Sequence, residues 1–187
     1  MCDLSGLWPD FGQDEDSNCN FDDDILTLVE IVVILIHAIQ KGWLDKEYQD
    51  GWKCNDFVYA FCEDQYGSCP YFYNKKENKA LASHEMRRMI TPDRKSSRYW
   101  DLQEPDDDWK VKTDFSGVRP GGILFFSQDG SKREKDRGIQ HVAIYLGKFM
   151  GIPMMIDNTS DPVYGVSIRP VQSISNDFWV SGYANKK

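Results

Sequence analysis

The hydrophobic pattern of the chain changes near Pro120. Before this residue, apolar side chains recur at helical spacing over Ile25 to Ile39 and again over Phe57 to Cys62. After it, four short apolar runs are separated by Gly, Pro, Asn and Asp: "GGILFF", "HVAIYLG", "PMMID" and "GVSIRPV". Helices followed by a meander of strands predict an α+β fold, in which N-terminal helices pack on one face of a C-terminal antiparallel sheet.

Two helices are predicted ahead of the sheet. The first follows the N-cap candidates Asp22 to Asp24 and ends near Gln40, where Gly42 provides a stop signal. The second begins at about Cys54, after the polar turn "KEYQDGWK". The apolar part of the first helix, Ile25 to Ile39, is shorter than the roughly 20 residues that span a bilayer. We therefore expect a buried helix and no association with a membrane.

The chain divides into an N-terminal segment and one domain. Residues 1–20 are acidic and are expected to be loosely ordered, whereas residues 21–187 are expected to form a single domain. Within that domain, residues 71–118 combine one short predicted helix with Pro92, Pro105 and the acidic run "EPDDDW". This stretch is interpreted as an insertion that forms a wall or lid of a cleft. Its aromatic residues are candidate substrate contacts, and the alternative is that they form the insertion's own core: Tyr71, Tyr73, Tyr99, Trp100 and Trp109.

Charge and cysteine content argue against several classes of protein. A formal net charge of -8 opposes the phosphate-neutralising surface that a nucleic-acid-binding protein needs. The 5 cysteines include no C-x-x-C pair and are odd in number, so we expect reduced thiols and neither a metal nor another cofactor. The N-terminus lacks the basic start and apolar middle of a secretory signal, so synthesis in the cytoplasm without a signal peptide is expected.

Cys54 is the candidate nucleophile. A thiol attacks as its thiolate, and the positive end of a helix together with a nearby imidazolium lowers a thiol pKa from about 8.5. Cys54 opens the second predicted helix, whereas Cys62 lies two turns further along it and is expected to be a core residue. The alternative is that Cys54 is itself a small buried core residue.

His141 and Asp157 are the candidate base and its partner. His141 begins the strand "HVAIYLG", at the rim of the predicted sheet, whereas His37 lies on the first helix and His84 in the insertion. A hairpin centred near Phe149 would place Asp157 directly opposite His141 on the same face of the sheet. A slip of one residue would present Asn158 instead, and a role in shaping the turn "DNTSDP" is the alternative for both.

The order of these features resembles a known family. A cysteine that opens a helix, then "PGGILFF", "HVAIYLG", a strand that ends in a polar residue, and "GVSIRPV" are similar to the NlpC-type papain-like cysteine peptidases, which cut bacterial cell-wall peptides. The resemblance covers roughly residues 51–183, interrupted by the insertion. It implies a papain-like fold, Cys54 as nucleophile, His141 as base and Asp157 as the residue that orients the imidazole.

The chain departs from that family at the nucleophile. The family's Asp-Cys-Ser-Gly is replaced by Lys53-Cys54-Asn55-Asp56, a form closer to the amidase and effector branches of the superfamily. The third site position is more often His, Asn or Gln than Asp. Tyr48 is the nearest match to the tyrosine that the family places upstream of its cysteine, but the family's Gly-rich turn is absent and a packing aromatic is the alternative for Tyr48. We expect Tyr48, Asn55 and Asn158 to contact the substrate.

The resemblance implies a cysteine hydrolase that cleaves amide bonds in peptidoglycan stem peptides. Such an enzyme would be released by lysis, be exported by a dedicated secretion machine, or recycle wall fragments in the cytoplasm. A secretion or immunity protein is a candidate partner. One alternative is a deamidase, transglutaminase-like enzyme or protease that acts on a protein. Another is an inactive binding module of the same fold, in which Cys54 is simply buried.

Overall fold

The computed structural model describes ten stretches of the chain. These are residues 21–44, 52–66, 70–92, 94, 98–103, 115, 117–128, 138–160, 165–174 and 178–187. The predicted acidic segment 1–20, Tyr48 and Trp109 lie outside the described residues.

Within the described residues, three α-helices precede the large sheet, and the first two begin close to their expected positions. They are α1 (Phe21–Gln40), α2 (Cys54–Tyr66) and α3 (Ser83–Met89). Gly42, with a φ of 64°, follows the end of α1, where a left-handed residue stops the helix. At the start of α2, the side chain of Asp56 accepts a hydrogen bond from the Lys53 backbone N–H at 2.8 Å. This acidic cap explains why the helix begins at Cys54.

The described part of the chain contains one six-stranded antiparallel sheet and one small hairpin. The hairpin pairs β1 (Tyr73–Asn74) with β2 (Lys79–Ala80). The large sheet has the strand order β3-β8-β4-β5-β6-β7. Its strands are β3 (Trp100–Gln103), β4 (Ile123–Ser127), β5 (Ile139–Phe149), β6 (Ile152–Thr159), β7 (Gly165–Pro170) and β8 (Trp179–Lys186). The predicted α+β class, with N-terminal helices packed against a C-terminal antiparallel sheet, is confirmed.

Hydrophobic side chains cover both faces of the sheet. The three helices pack on one face, where Phe57 and Phe61 of α2 meet Val142 and Ile144 of β5. The opposite face is covered by shorter segments, and its buried residues include Tyr145. Because both faces are covered, β5 alternates between two apolar environments and its residues from His141 to Gly147 are all buried.

The described parts of the segment 71–118 contribute side chains to the main core and a strand to the large sheet. Phe72, Met86 and Trp100 are almost fully buried in the same core as α2. Trp100 stacks on Phe72 with a centroid separation of 5.9 Å, and β3, which begins at Trp100, pairs with β8 at the edge of the large sheet. The expectation that Trp100 contacts substrate is therefore wrong, because its indole is a core side chain.

Helix α1 is buried along one stripe only. Ile31, Ile34 and Ala38 pack into the core, as expected from their spacing. Six other apolar side chains of α1 are between 43% and 59% exposed: Leu28, Val29, Val32, Val33, Ile36 and Ile39. The prediction of a buried helix is thus wrong for this face, because these side chains point away from the core. Among the described residues, no helix is both long and apolar enough to cross a membrane.

Candidate active site

Cys54 lies at the first turn of α2 and faces the start of β5. Its residue exposure is only 5%. The sulfur interacts with the His141 side chain and with the backbone of Val142, the next residue of the same strand. Folding therefore brings together the thiol and the imidazole that the sequence singled out. The helix start contributes backbone N–H groups that the α-helical ladder does not use.

His141 is held between the thiol and a carboxylate. Its Nε2 lies 2.7 Å from Oδ2 of Asp157. The ring also contacts the rings of Phe126, at a centroid distance of 5.6 Å, and Phe178, at 6.3 Å. Because Asp157 occupies Nε2, Nδ1 is the ring nitrogen that remains for Cys54. The imidazole is thus fixed in orientation from several sides, which is what a general base requires.

The His141 and Asp157 pair forms through a different strand register from the predicted one. The hairpin formed by β5 and β6 turns at Met150 and Gly151, both with positive φ, and not around Phe149. The register also shifts between Tyr145 and Gly147, at a bulge, so that Ile144 pairs with Ile156. Continued along the strands, this register sets Asp157 opposite Ala143 and not opposite His141.

The predicted direct opposition is therefore wrong, but the predicted face is right. An offset of two residues keeps His141 and Asp157 on the same side of the sheet as diagonal neighbours. Diagonal neighbours are farther apart than opposed residues, yet a long side chain spans the gap. The imidazole of His141 does so here.

Arg169 completes the site and was not predicted. It lies on β7, the strand next to β6, and its guanidinium grips Asp157 with two hydrogen bonds: Nε to Oδ1 at 3.1 Å and Nη2 to Oδ2 at 2.6 Å. Its Nη1 donates to the carbonyl oxygen of Ser173 at 3.4 Å. Arg169 is 6% exposed and Asp157 is fully buried, so this is a buried, bidentate ion pair.

The charges of the site favour ionised forms in all three central groups. Burial opposes the Cys54 thiolate, but the charge of His141 and hydrogen bonds from His141, Ser83 and the Val142 backbone lower the pKa of Cys54 below its ordinary value. Burial likewise opposes the imidazolium, but the charge on Cys54 and the hydrogen bond to Asp157 raise the pKa of His141 to about 9.

Asp157 follows the same logic. Burial raises the pKa of this carboxyl, but the hydrogen bonds from His141 and Arg169, and then their charges, outweigh it and lower the pKa of Asp157 below its ordinary value. Together these shifts favour a thiolate and imidazolium pair beside a carboxylate that Arg169 neutralises.

Ser83 also contacts the thiol. Its Oγ lies 3.6 Å from the Cys54 sulfur, and its residue exposure is 6%. Ser83 opens α3, within the segment 71–118, so this segment contributes a side chain to the site.

The other predicted substrate contacts occupy different positions. Asn55 is half-buried in the first turn of α2. Asn158 is fully buried: its Nδ2 donates to the carbonyl oxygen of Trp52 at 3.1 Å, and its Oδ1 has no hydrogen-bond partner within the described structure. This contact ties β6 to the chain just before Cys54, which is a structural role. Tyr48 lies outside the described residues.

The remaining histidines and the second described cysteine lie away from the site. His37 pairs with Asp64 between α1 and α2, and His84 is exposed on α3. Cys62 is a fully buried core residue, as predicted. Among the described residues, no group of three or more His, Cys, Asp or Glu side chains is arranged to hold a metal ion.

Two site residues escaped the sequence analysis for identifiable reasons. Arg169 stands in the apolar run "GVSIRPV", and a lone charged residue in such a run is the signal that could have indicated a buried partner. Ser83 is the first residue of α3, and a serine at the start of a helix is ordinarily read as part of the helix start. Comparison with protein-family models, with curated proteins and with solved structures gives no match for this chain.

Proposed function

We propose that the protein is a cysteine hydrolase that acts on amide bonds. The observation that carries the proposal is the convergence of Cys54, His141 and Asp157, in hydrogen-bonded sequence, at the start of a helix. A cysteine that only fills the core does not require contact with an imidazolium. A histidine that only fills the core does not require contact with a carboxylate that an arginine binds. Perturbed pKa values that are shared by a thiol and an imidazole are characteristic of an activated nucleophile.

The chemistry proceeds in two steps. The Cys54 thiolate attacks the carbonyl carbon and forms a C–S bond, and the backbone N–H of Cys54 stabilises the oxyanion. The His141 imidazolium then gives its proton to the leaving nitrogen, so that the C–N bond breaks and a thioester remains. Water, deprotonated by His141, attacks this thioester, and the C–S bond breaks to release a carboxylic acid and regenerate the ion pair. Asp157 keeps the ring in position throughout.

The proposed substrate is a peptidoglycan stem peptide. The support is the ordered resemblance of residues 51–183 to NlpC-type peptidases, together with the chemistry of the site. Both reacting residues are largely buried, since Cys54 is 5% and His141 is 8% exposed.

Purified muropeptides provide the test. The wild-type protein is incubated with them, and the products are analysed by mass spectrometry for fragments with a new amine and a new carboxylic acid. The Cys54→Ala variant is expected to give none. The Cys62→Ala variant is the matched control, because Cys62 lies on the same helix but in the core, and it is expected to retain activity wherever it folds.

A second measurement separates the chemistry from the substrate. Alkylation of Cys54 by iodoacetamide reports the thiolate directly. Intact muropeptides together with a thiol that reacts below pH 7 would remove only the peptidoglycan assignment and would direct attention to protein substrates. A Cys54 thiol that titrates like a free cysteine, at a pKa of about 8.5, would refute the hydrolase proposal itself.

A further inference from the structure

We infer that Ser83 is a fourth functional residue of this site. Its hydroxyl donates a hydrogen bond to the Cys54 thiolate and thereby positions and stabilises it. The inference rests on the proposed function and extends it, because it assigns a role to a residue from the segment 71–118. The direct observation is the contact of 3.6 Å between Ser83 Oγ and Cys54 Sγ.

The position of Ser83 is fixed by the helix that it opens. The Ala82 backbone N–H donates to the side chain of Glu85 at 3.0 Å, which closes the first turn of α3. Met86 is fully buried in the core shared with α2, so the helix cannot easily slide away from the thiol. Ser83 is itself buried, and its hydroxyl therefore has few competing partners in water.

The direction of the hydrogen bond follows from the charge on sulfur. With a neutral thiol, either atom could donate. A thiolate has no proton and only accepts, so the Ser83 hydroxyl must be the donor in the ionised state. A donor of this kind stabilises the charged form, and it acts together with His141 and the Val142 backbone against the cost of burial.

This arrangement gives α3 a function in catalysis. When the thiolate forms its bond to the carbonyl carbon, sulfur loses its negative charge and the hydroxyl is released from its acceptor. Ser83 thus favours the thiolate and holds its orientation before attack. A purely structural serine would affect folding but not the ionisation of Cys54.

The test is the pH profile of Cys54 alkylation by iodoacetamide in Ser83→Ala, Ser83→Thr and the wild-type protein, followed by mass spectrometry of the Cys54 peptide. For Ser83→Ala the midpoint should move to higher pH. At pH values below both midpoints the rate should fall by about threefold to tenfold, because a hydrogen bond to a charged group changes the thiolate population by about tenfold and a more basic thiolate partly compensates. Ser83→Thr, which keeps the hydroxyl, should restore the wild-type midpoint.

The controls separate failure of this inference from failure of the proposed function. His84→Ala, a change at the next and exposed position of α3, should leave the profile unchanged. Should the alanine variant not fold, as judged by circular dichroism, Ser83→Gly removes the hydroxyl at the same first helical position. If the wild-type protein has a low midpoint and the hydroxyl-free variant has the same midpoint, the role of Ser83 is overturned. The hydrolase proposal then remains intact. A folded threonine variant that titrates like the hydroxyl-free variant also overturns the role of Ser83, whereas an ordinary midpoint in the wild-type protein refutes the hydrolase proposal.

Discussion

Removal of the charge on Arg169 should destabilise the protein strongly, because it would leave a fully buried carboxylate without its bidentate partner. Asp157 is 0% exposed and Arg169 is 6% exposed, and two hydrogen bonds join them. Removal of one partner of a buried ion pair costs about 3–5 kcal/mol. For a domain of this size each kcal/mol lowers the melting temperature by about 2–4 °C. We therefore expect Arg169→Met to lower Tm by about 6–20 °C.

A double variant tests the cause of this loss. Asp157→Asn combined with Arg169→Met replaces the pair by neutral side chains of similar size. Its free energy of unfolding, measured by urea titration, should therefore fall by less than the sum of the two single variants. Arg169→Lys keeps the charge but loses the two-pronged geometry, so we expect an intermediate loss. Arg88→Met, a change at an exposed arginine, is the matched control and should stay within about 0.5 kcal/mol of the wild-type protein.

Two results would contradict this account of Arg169. One is a loss below about 1 kcal/mol in Arg169→Met, which would mean that water or another group solvates Asp157. The other is strict additivity in the double variant, which would mean that the two side chains stabilise the fold independently.

Three further predictions concern ionisation and packing. In His141→Ala, the alkylation rate of Cys54 should rise about tenfold per pH unit up to about pH 8.5, as for a free thiol. The wild-type rate should stay flat over the pH units just below the His141 pKa of about 9. Equal slopes in the two proteins would contradict the ion pair. The lowered pKa of Asp157 stabilises the fold above about pH 4, and this contribution disappears as the pH falls. In urea titrations, the free energy of unfolding should therefore fall more steeply with decreasing pH in the wild-type protein than in Asp157→Asn. Parallel decreases would refute this contribution of Asp157. Gly121→Ala should cost about 1–3 kcal/mol by thermal unfolding, because a methyl group there would lie 2.4 Å from the Tyr66 hydroxyl and φ is 81°; an unchanged Tm would show that this end of α2 is loosely packed.

Much of the fold followed from the sequence because the hydrophobic periods are clear. The start of α2 at Cys54 and the strands β4 to β7 could be predicted from local patterns and turn residues. Strands β3 and β8 were missed. The run "WVSGYANK" of β8 includes small and polar residues, and β3 has only four residues, so their pairing is decided by distant parts of the chain.

The site was predictable in its members more than in its register. A diagonal contact between His141 and Asp157 tolerates an offset of two residues, which is why an incorrect turn position still selected the correct pair. The bulge between Tyr145 and Gly147 could not be derived, since a bulge depends on the strand that it faces. The partner of Arg169 could not be derived either, since Asp157 becomes its neighbour only when β7 lies beside β6.

The site is divided between the helices and the sheet, which has a consequence for what happens when the protein is heated. Cys54 and Ser83 come from α2 and α3, whereas His141, Asp157 and Arg169 come from three adjacent strands. A slight separation of the two layers would return the sulfur to its ordinary acidity before any secondary structure melts. The reactivity of the Cys54 thiol near neutral pH would then change before the cooperative unfolding transition on heating.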